Sequence, residues 1–167
     1  MRNFGRSIAF GFASVVLAVF GVSTPAAADG PQAGTVTGET SLDATAGLKV
    51  GQPVIHKRGD GVKPPAELGN PSEWGVVKIE VNGSTGSFQA LGNKCENVSR
   101  GIWCYGWDKI DPGKKCYSNY MASVKHKSTV RVKNVDYPTA WVGAGATSYA
   151  YAYSGLQYTC YSYYSNA

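Results

Sequence analysis

The 167-residue sequence has only two histidines, no charged residue after Asp136 and no dense cluster of basic residues, and each shortage removes a class of function. His56 and His126 are its only imidazoles, and no G-x-S-x-G elbow, H-E-x-x-H helix or catalytic-cysteine signature accompanies them. His126 is flanked by Lys125 and Lys127, which disfavour its protonated form, so it is expected at the surface in solvent rather than as a general base. A glycosidase would need two carboxylates straddling a sugar. Glu73, Glu80, Glu96, Asp108, Asp111 and Asp136 are present without a distinguishing context, and Asp108 and Asp111 bracket a turn where Asp caps backbone. The chain therefore reads as a non-enzyme. The four cysteines, Cys95, Cys104, Cys116 and Cys160, include no C-x-x-C pair and stand at irregular spacings from the histidines, so neither a metal nor a cofactor is expected.

One long apolar run does occur, at the start. Arg2 and Arg6 precede an uncharged stretch from Ile8 to Val22, and Pro25 is followed by Ala26, Ala27 and Ala28. A basic start, an apolar core and small residues at a cut site form a secretory signal, so residues 1–28 read as a signal peptide and the protein as secreted, extracellular and beginning at Asp29. Removing the two arginines leaves 14 basic groups against 11 acidic ones, a net charge of +3. That balance suits a soluble chain near an anionic envelope and lies far from a nucleic-acid binder. In an oxidising compartment four thiols pair, giving two disulfides.

Residues 29–72 are rich in Gly, Thr, Ala and Pro with few large apolar side chains, and read as a flexible leader or pro-region able to form one short strand near Val50 to Lys57. From Glu73 the texture changes. Trp74 to Val81 alternates as a strand does, Asn82-Gly83 offers a tight turn, and the remainder to Ala167 is rich in Val, Thr, Tyr and Trp with no helical spacing. Strands are expected at Gly101–Trp107, Lys115–Tyr120, Ser128–Val135, Ala140–Ala144, Thr147–Tyr153 and Gln157–Tyr164, with hairpins at Asp111-Pro112-Gly113 and Ser154-Gly155. The fold class is all-β, a small antiparallel β-sandwich over residues 73–167 stapled by disulfides. Four cysteines allow three pairings. A hairpin centred near Ile110 sets Cys104 opposite Cys116, which leaves Cys95 for Cys160.

From Tyr137 onward no residue is charged, yet this stretch holds eight of the eleven tyrosines. Alternation places Tyr149, Tyr151 and Tyr153 on one face of a strand and Ala150 and Ala152 on the other. These tyrosines either pack over a thin core with their hydroxyls in water, the reading preferred on burial statistics, or form a flat recognition surface.

Gly101-Ile102-Trp103-Cys104-Tyr105-Gly106, Tyr117-Ser118-Asn119-Tyr120 and His126-Lys127-Ser128-Thr129-Val130 form an ordered series, continued by Trp141-Val142-Gly143-Ala144-Gly145-Ala146 and the closing Tyr161-Ser162-Tyr163-Tyr164. This series, over residues 101–167, resembles the lactococcin 972 family of bacteriocins. The resemblance implies a compact antiparallel β-sandwich that acts without catalysis on the cell wall of competing bacteria. It further implies engagement of lipid II, blocked septum formation and a dedicated immunity transporter as a second partner. The family's prototype lacks cysteines, and Met121-Ala122 stand where a histidine often follows S-N-Y. Target binding is expected from Trp103, Tyr105, Trp107, Asn119, Tyr120 and His126, with aromatics stacking on sugar rings or sitting at a membrane interface and Asn119, Lys114 and Lys115 meeting phosphate or sugar groups; Trp103 and Trp107 read equally as core anchors. The alternative function is a non-lytic secreted binding module or inhibitor that uses the tyrosine face. Any self-association, such as a weak homodimer, is expected through uncharged β-edges.

Overall fold

The computed structural model describes residues 43–81 and 94–167, and all statements of structure refer to these. The expected signal peptide and the expected Asn82-Gly83 turn lie outside them. Nine strands form: β1 (Val54–Lys57), β2 (Glu73–Ile79), β3 (Lys94–Val98), β4 (Gly101–Ile110), β5 (Gly113–Ala122), β6 (His126–Val132), β7 (Val135–Pro138), β8 (Thr147–Ser154) and β9 (Cys160–Asn166), with a single 3-10 turn at Ala66–Leu68. They make two antiparallel sheets, one of five strands in the order β1-β2-β9-β6-β7 and one of four in the order β3-β4-β5-β8. The expected all-β sandwich is the fold. No described helix is long and apolar enough to cross a membrane.

Strict alternation builds the core. Trp103, Tyr105 and Trp107 of β4, Cys116 and Tyr120 of β5 and Ala150 and Ala152 of β8 point inward from the four-stranded sheet. Val77 and Ile79 of β2, Val130 and Val132 of β6 and Cys160 and Tyr164 of β9 meet them from the other. Gly75 pairs with Tyr164 and has no Cβ, which leaves room for the Tyr164 ring over the backbone of β2. The rings of Trp103, Tyr120 and Tyr164 stack at tilted angles with centroids 4.6 to 4.9 Å apart.

Buried serines link the layers. Trp103 donates its indole N–H to the Ser118 hydroxyl (2.9 Å), which donates to the Tyr163 carbonyl on the facing sheet (2.7 Å). Ser162 returns the contact by donating to the Tyr117 carbonyl (2.8 Å). Each bond satisfies a polar group that burial would otherwise strand.

The disulfides differ from the expected pairing: Cys95 is bonded to Cys104, and Cys116 to Cys160. The cause is register. The β4–β5 hairpin turns between Asp111 and Pro112, across a cis peptide, so Ile110 faces Gly113, Trp107 faces Cys116 and Cys104 faces Asn119. A turn centre displaced toward Pro112 sends Cys104 to the outer face while Cys116 points into the core. There Cys116 meets Cys160 of the other sheet, and Cys104 meets Cys95 directly across the β3–β4 ladder.

The sheet also begins earlier than the expected boundary at Glu73. β1 pairs with β2 through Val54↔Val76 to Lys57↔Glu73, and Leu68 is fully buried against Trp74, Val76 and Tyr163 on the outer side of the five-stranded sheet. Ala44, Leu48 and Val62 add to that patch. Residues 43–72 are thus not a coreless leader, because Trp74, Val76 and Tyr163 give their few apolar side chains a surface to cover. Lys127 of β6 donates to the Glu67 carbonyl, fastening the segment to the sheet, and Arg58 donates to the carbonyls of Asn70 and Pro71 within it. The expected strand at Ala140–Ala144 does not form; β7 ends at Pro138 and only a single bridge joins Val142 to His126.

Candidate functional site

Because residues 43–72 cover the outer side of the five-stranded sheet, the outer face of the four-stranded sheet is the large sheet surface left open among the described residues. Its composition follows from register. Cys95, Cys104, Asn119 and Tyr149 stand in one row across β3, β4, β5 and β8; Gly106, Tyr117 and Tyr151 form the next; Asp108, Lys115 and Tyr153 the one after. Tyr149, Tyr151 and Tyr153 are 66%, 55% and 62% exposed. The structure therefore overturns the preference for tyrosines packed over a core: Ala150 and Ala152 supply the core contact, and the rings stand in solvent. Tyr151 and Tyr153 meet edge to face with centroids 5.6 Å apart.

Between these rings and the Cys95–Cys104 disulfide lies an open groove of about 550 Å³. Tyr117 forms part of its floor and is only 6% exposed, since it sits in the central strand beside Gly106 and Tyr151. Burial raises the Tyr117 hydroxyl to about 12, with the charge of Asp108 adding to the effect, so it is a neutral hydrogen-bonding group at any physiological pH. Asn119 contributes an amide at one side, and Asp108 and Lys115 form an ion pair at 3.0 Å at the other.

Of the six residues expected to bind a target, only Asn119 reaches this surface. Trp103, Tyr105, Tyr120 and His126 are fully buried and Trp107 nearly so. Alternation in β4 and β5 puts Trp103, Tyr105, Trp107 and Tyr120 on the inward side, where they are core anchors. Tyr105 donates to Glu96 (2.6 Å), and its hydroxyl is pushed well above the usual range by burial and by that carboxylate. The expectation of a solvated His126 fails for the same reason. It sits at the start of β6 beside Asn166 of β9, which in turn pairs with Glu73 of β2, giving a polar row across the inner face of the five-stranded sheet.

In that row Glu73 accepts from Ser99 (2.7 and 2.6 Å) and Tyr164 (2.9 Å). His126 donates from Nδ1 to the Val124 carbonyl (2.7 Å) and touches the Tyr120 ring edge-on at 5.0 Å. Its Nε2 is buried without a hydrogen bond, as is the side-chain amide of Asn166. Among the described residues the row holds no hydrogen-bonded hydroxyl–imidazole pair. It joins the ends of β2, β9 and β6. At the opposite end of the sandwich Lys114 is buried, donating to the Tyr158 carbonyl (2.5 Å), and desolvation lowers its pKa to about 8.

The sequence already singled out Tyr149, Tyr151 and Tyr153; the roles of Tyr117, Asp108 and Lys115 depend on strand pairing, which no local pattern carries. What the fold and site define is a disulfide-stapled β-sandwich with one covered sheet and one exposed, aromatic, nearly neutral face. Residues 99–164, which span β4 to β8 and most of β9, match the family model described as Bacteriocin (Lactococcin_972), the family that the ordered motifs resemble. No curated protein and no solved structure matches the chain.

Proposed function

We propose that this protein is a secreted bacteriocin-like antimicrobial that binds the cell-wall precursor lipid II and blocks septum formation in competing bacteria, acting by occupancy rather than catalysis. The family match over residues 99–164 carries the antimicrobial part of this reading. The binding surface in this proposal is the tyrosine face of β5 and β8 in place of the buried aromatics of β4. A rigid aromatic surface costs little side-chain entropy on binding, which suits recognition. A dedicated immunity transporter protects the producer.

The test is a growth-inhibition series with the purified, oxidised protein on a panel of Gram-positive strains, repeated with added lipid II. Inhibition that added lipid II relieves supports the proposal. Inhibition that lipid II leaves unchanged removes lipid II as the target. A full panel without inhibition favours the second reading, a non-lytic binding module or inhibitor, for which the exposed Tyr149, Tyr151 and Tyr153 are the specific observation.

A further inference from the structure

We infer that the groove on the tyrosine face is a saccharide site that takes a neutral chain of two or three pyranose rings, such as a β-linked N-acetylhexosamine oligomer. This deepens the envelope-binding reading and rests on it only for where such a chain is met.

Three observations carry it. The first is spacing. Tyr149, Tyr151 and Tyr153 alternate on one strand and so, at about 3.3 Å per residue, span roughly 13 Å; Tyr149 and Tyr151 line the groove, and Tyr153 meets Tyr151 edge to face, so the row offers separate ring faces to consecutive sugar rings. A pyranose offers C–H groups on its flat side, and these carry the slight positive charge that the negative face of an aromatic ring attracts.

The second is the mixture of donors and acceptors. Saccharide hydroxyls both donate and accept, and the groove supplies groups of each kind: the Asn119 amide, the Asp108 carboxylate and the Lys115 ammonium. They lie between the aromatic row and the Cys95–Cys104 bridge, so a chain stacked on the tyrosines turns its hydroxyl edge toward them.

The third is charge. Lys115 and Asp108 are the charged residues lining the groove, and they neutralise one another at 3.0 Å. A pyrophosphate, a polyphosphate or a nucleic acid would need unpaired cations here. A neutral ligand needs none. Within a precursor bearing both sugar and pyrophosphate, the sugar is therefore the part this face selects.

The experiment is a titration of the full oxidised chain, followed by backbone amide chemical shifts, with the N-acetylglucosamine tetramer as probe and inorganic pyrophosphate as comparison. The tetramer is expected to shift the amides of Asn119, Tyr149 and Tyr151, while pyrophosphate leaves them in place. Tyr151→Ala should weaken binding at least about tenfold and Tyr151→Phe by less, because the ring is kept. Tyr137→Ala, at an exposed tyrosine of the other sheet, should bind as the parent does. Tyr151 is solvent-exposed, so both variants at that position fold, and unchanged shifts elsewhere verify it. Pyrophosphate shifting these amides in place of the tetramer, tetramer shifts confined to another surface, or full binding by Tyr151→Ala would each overturn the inference. So would shifts that follow protein concentration alone, which would assign the face to a second copy of the chain. Growth inhibition without tetramer binding removes the saccharide site and leaves the antimicrobial reading standing. Tetramer binding without growth inhibition does the reverse.

Discussion

The two disulfides should contribute unequally to stability, in a ratio set by the chain each one closes. Cys116–Cys160 spans a sequence separation of 44 and Cys95–Cys104 one of 9. In the chain-entropy treatment the longer loop is worth about 4 kcal/mol at 25 °C and the shorter about 2.6 kcal/mol, a difference of roughly 1.4 kcal/mol. Burial widens the gap. Cys116 and Cys160 lie in the core between the sheets, so the double alanine variant also leaves a small cavity there, whereas Cys95 and Cys104 sit on the outer face. The assay is urea unfolding of Cys116→Ala/Cys160→Ala and Cys95→Ala/Cys104→Ala beside the parent, with slopes compared so that midpoint shifts read as stability. Trypsin under non-reducing conditions gives the pairing independently, since Arg100, Lys109, Lys115, Lys125 and Lys133 separate all four cysteines. Residues 95–100 should remain joined to 101–109, and 116–125 to 134–167. Equal losses in the two double variants, or a fragment joining 101–109 to 116–125, would refute the register from which the argument starts.

Leu68→Ala should lower stability by about 2–5 kcal/mol, because Leu68 is fully buried against Trp74, Val76 and Tyr163; a loss under about 0.5 kcal/mol in urea titration would mean the segment is not docked. His126→Ala should cost about 1–3 kcal/mol through the lost bond to the Val124 carbonyl while leaving growth inhibition per folded molecule unchanged, and a disproportionate loss of inhibition in well-folded variant would contradict a structural role. Stability should also pass through a maximum near pH 10. Lys114 releases its proton near 8 when folded against 10.5 when unfolded, so between these values the unfolded chain holds more protons and stability rises with pH. Burial pushes Tyr117 and Tyr120 up to about 12 from 10.0, so above 10 the unfolded chain holds fewer protons and stability falls. A steady decline in unfolding midpoint from pH 7.5 to 10 would contradict the burial of Lys114.

Alternation was the most legible signal. Tyr149, Tyr151 and Tyr153 are separated from Ala150 and Ala152 as the period of two requires, and the Asp111-Pro112-Gly113 hairpin forms where its residues demand. What alternation leaves open is which side faces in. In β4 both sides carry plausible core or surface residues, and the choice of Trp103, Tyr105 and Trp107 as inward rests on the opposing sheet, which local sequence does not specify. The disulfides were lost to a small displacement of the turn centre, since an odd shift in register moves a side chain to the opposite face. The docking of Leu68 was invisible for a related reason: a segment poor in apolar residues orders only because Trp74, Val76 and Tyr163 leave a patch on the far side of a sheet.

The position of β9 has a consequence for when the protein can fold. It is the last strand in the chain, yet it stands in the middle of the five-stranded sheet, between β2 and β6. Its ladder with β2 joins Glu73 to Asn166, across about three-quarters of the described span. As the chain is synthesised from its N-terminus, β3, β4, β5 and β8 can pair among themselves, but β1-β2 and β6-β7 remain separate hairpins until residues 160–166 arrive. Late, long-range pairing of this kind slows folding into the millisecond-to-second range typical of β-sandwiches. The five-stranded sheet therefore cannot close over the core until the seven residues of β9 have been made, so its packing is a late event of synthesis.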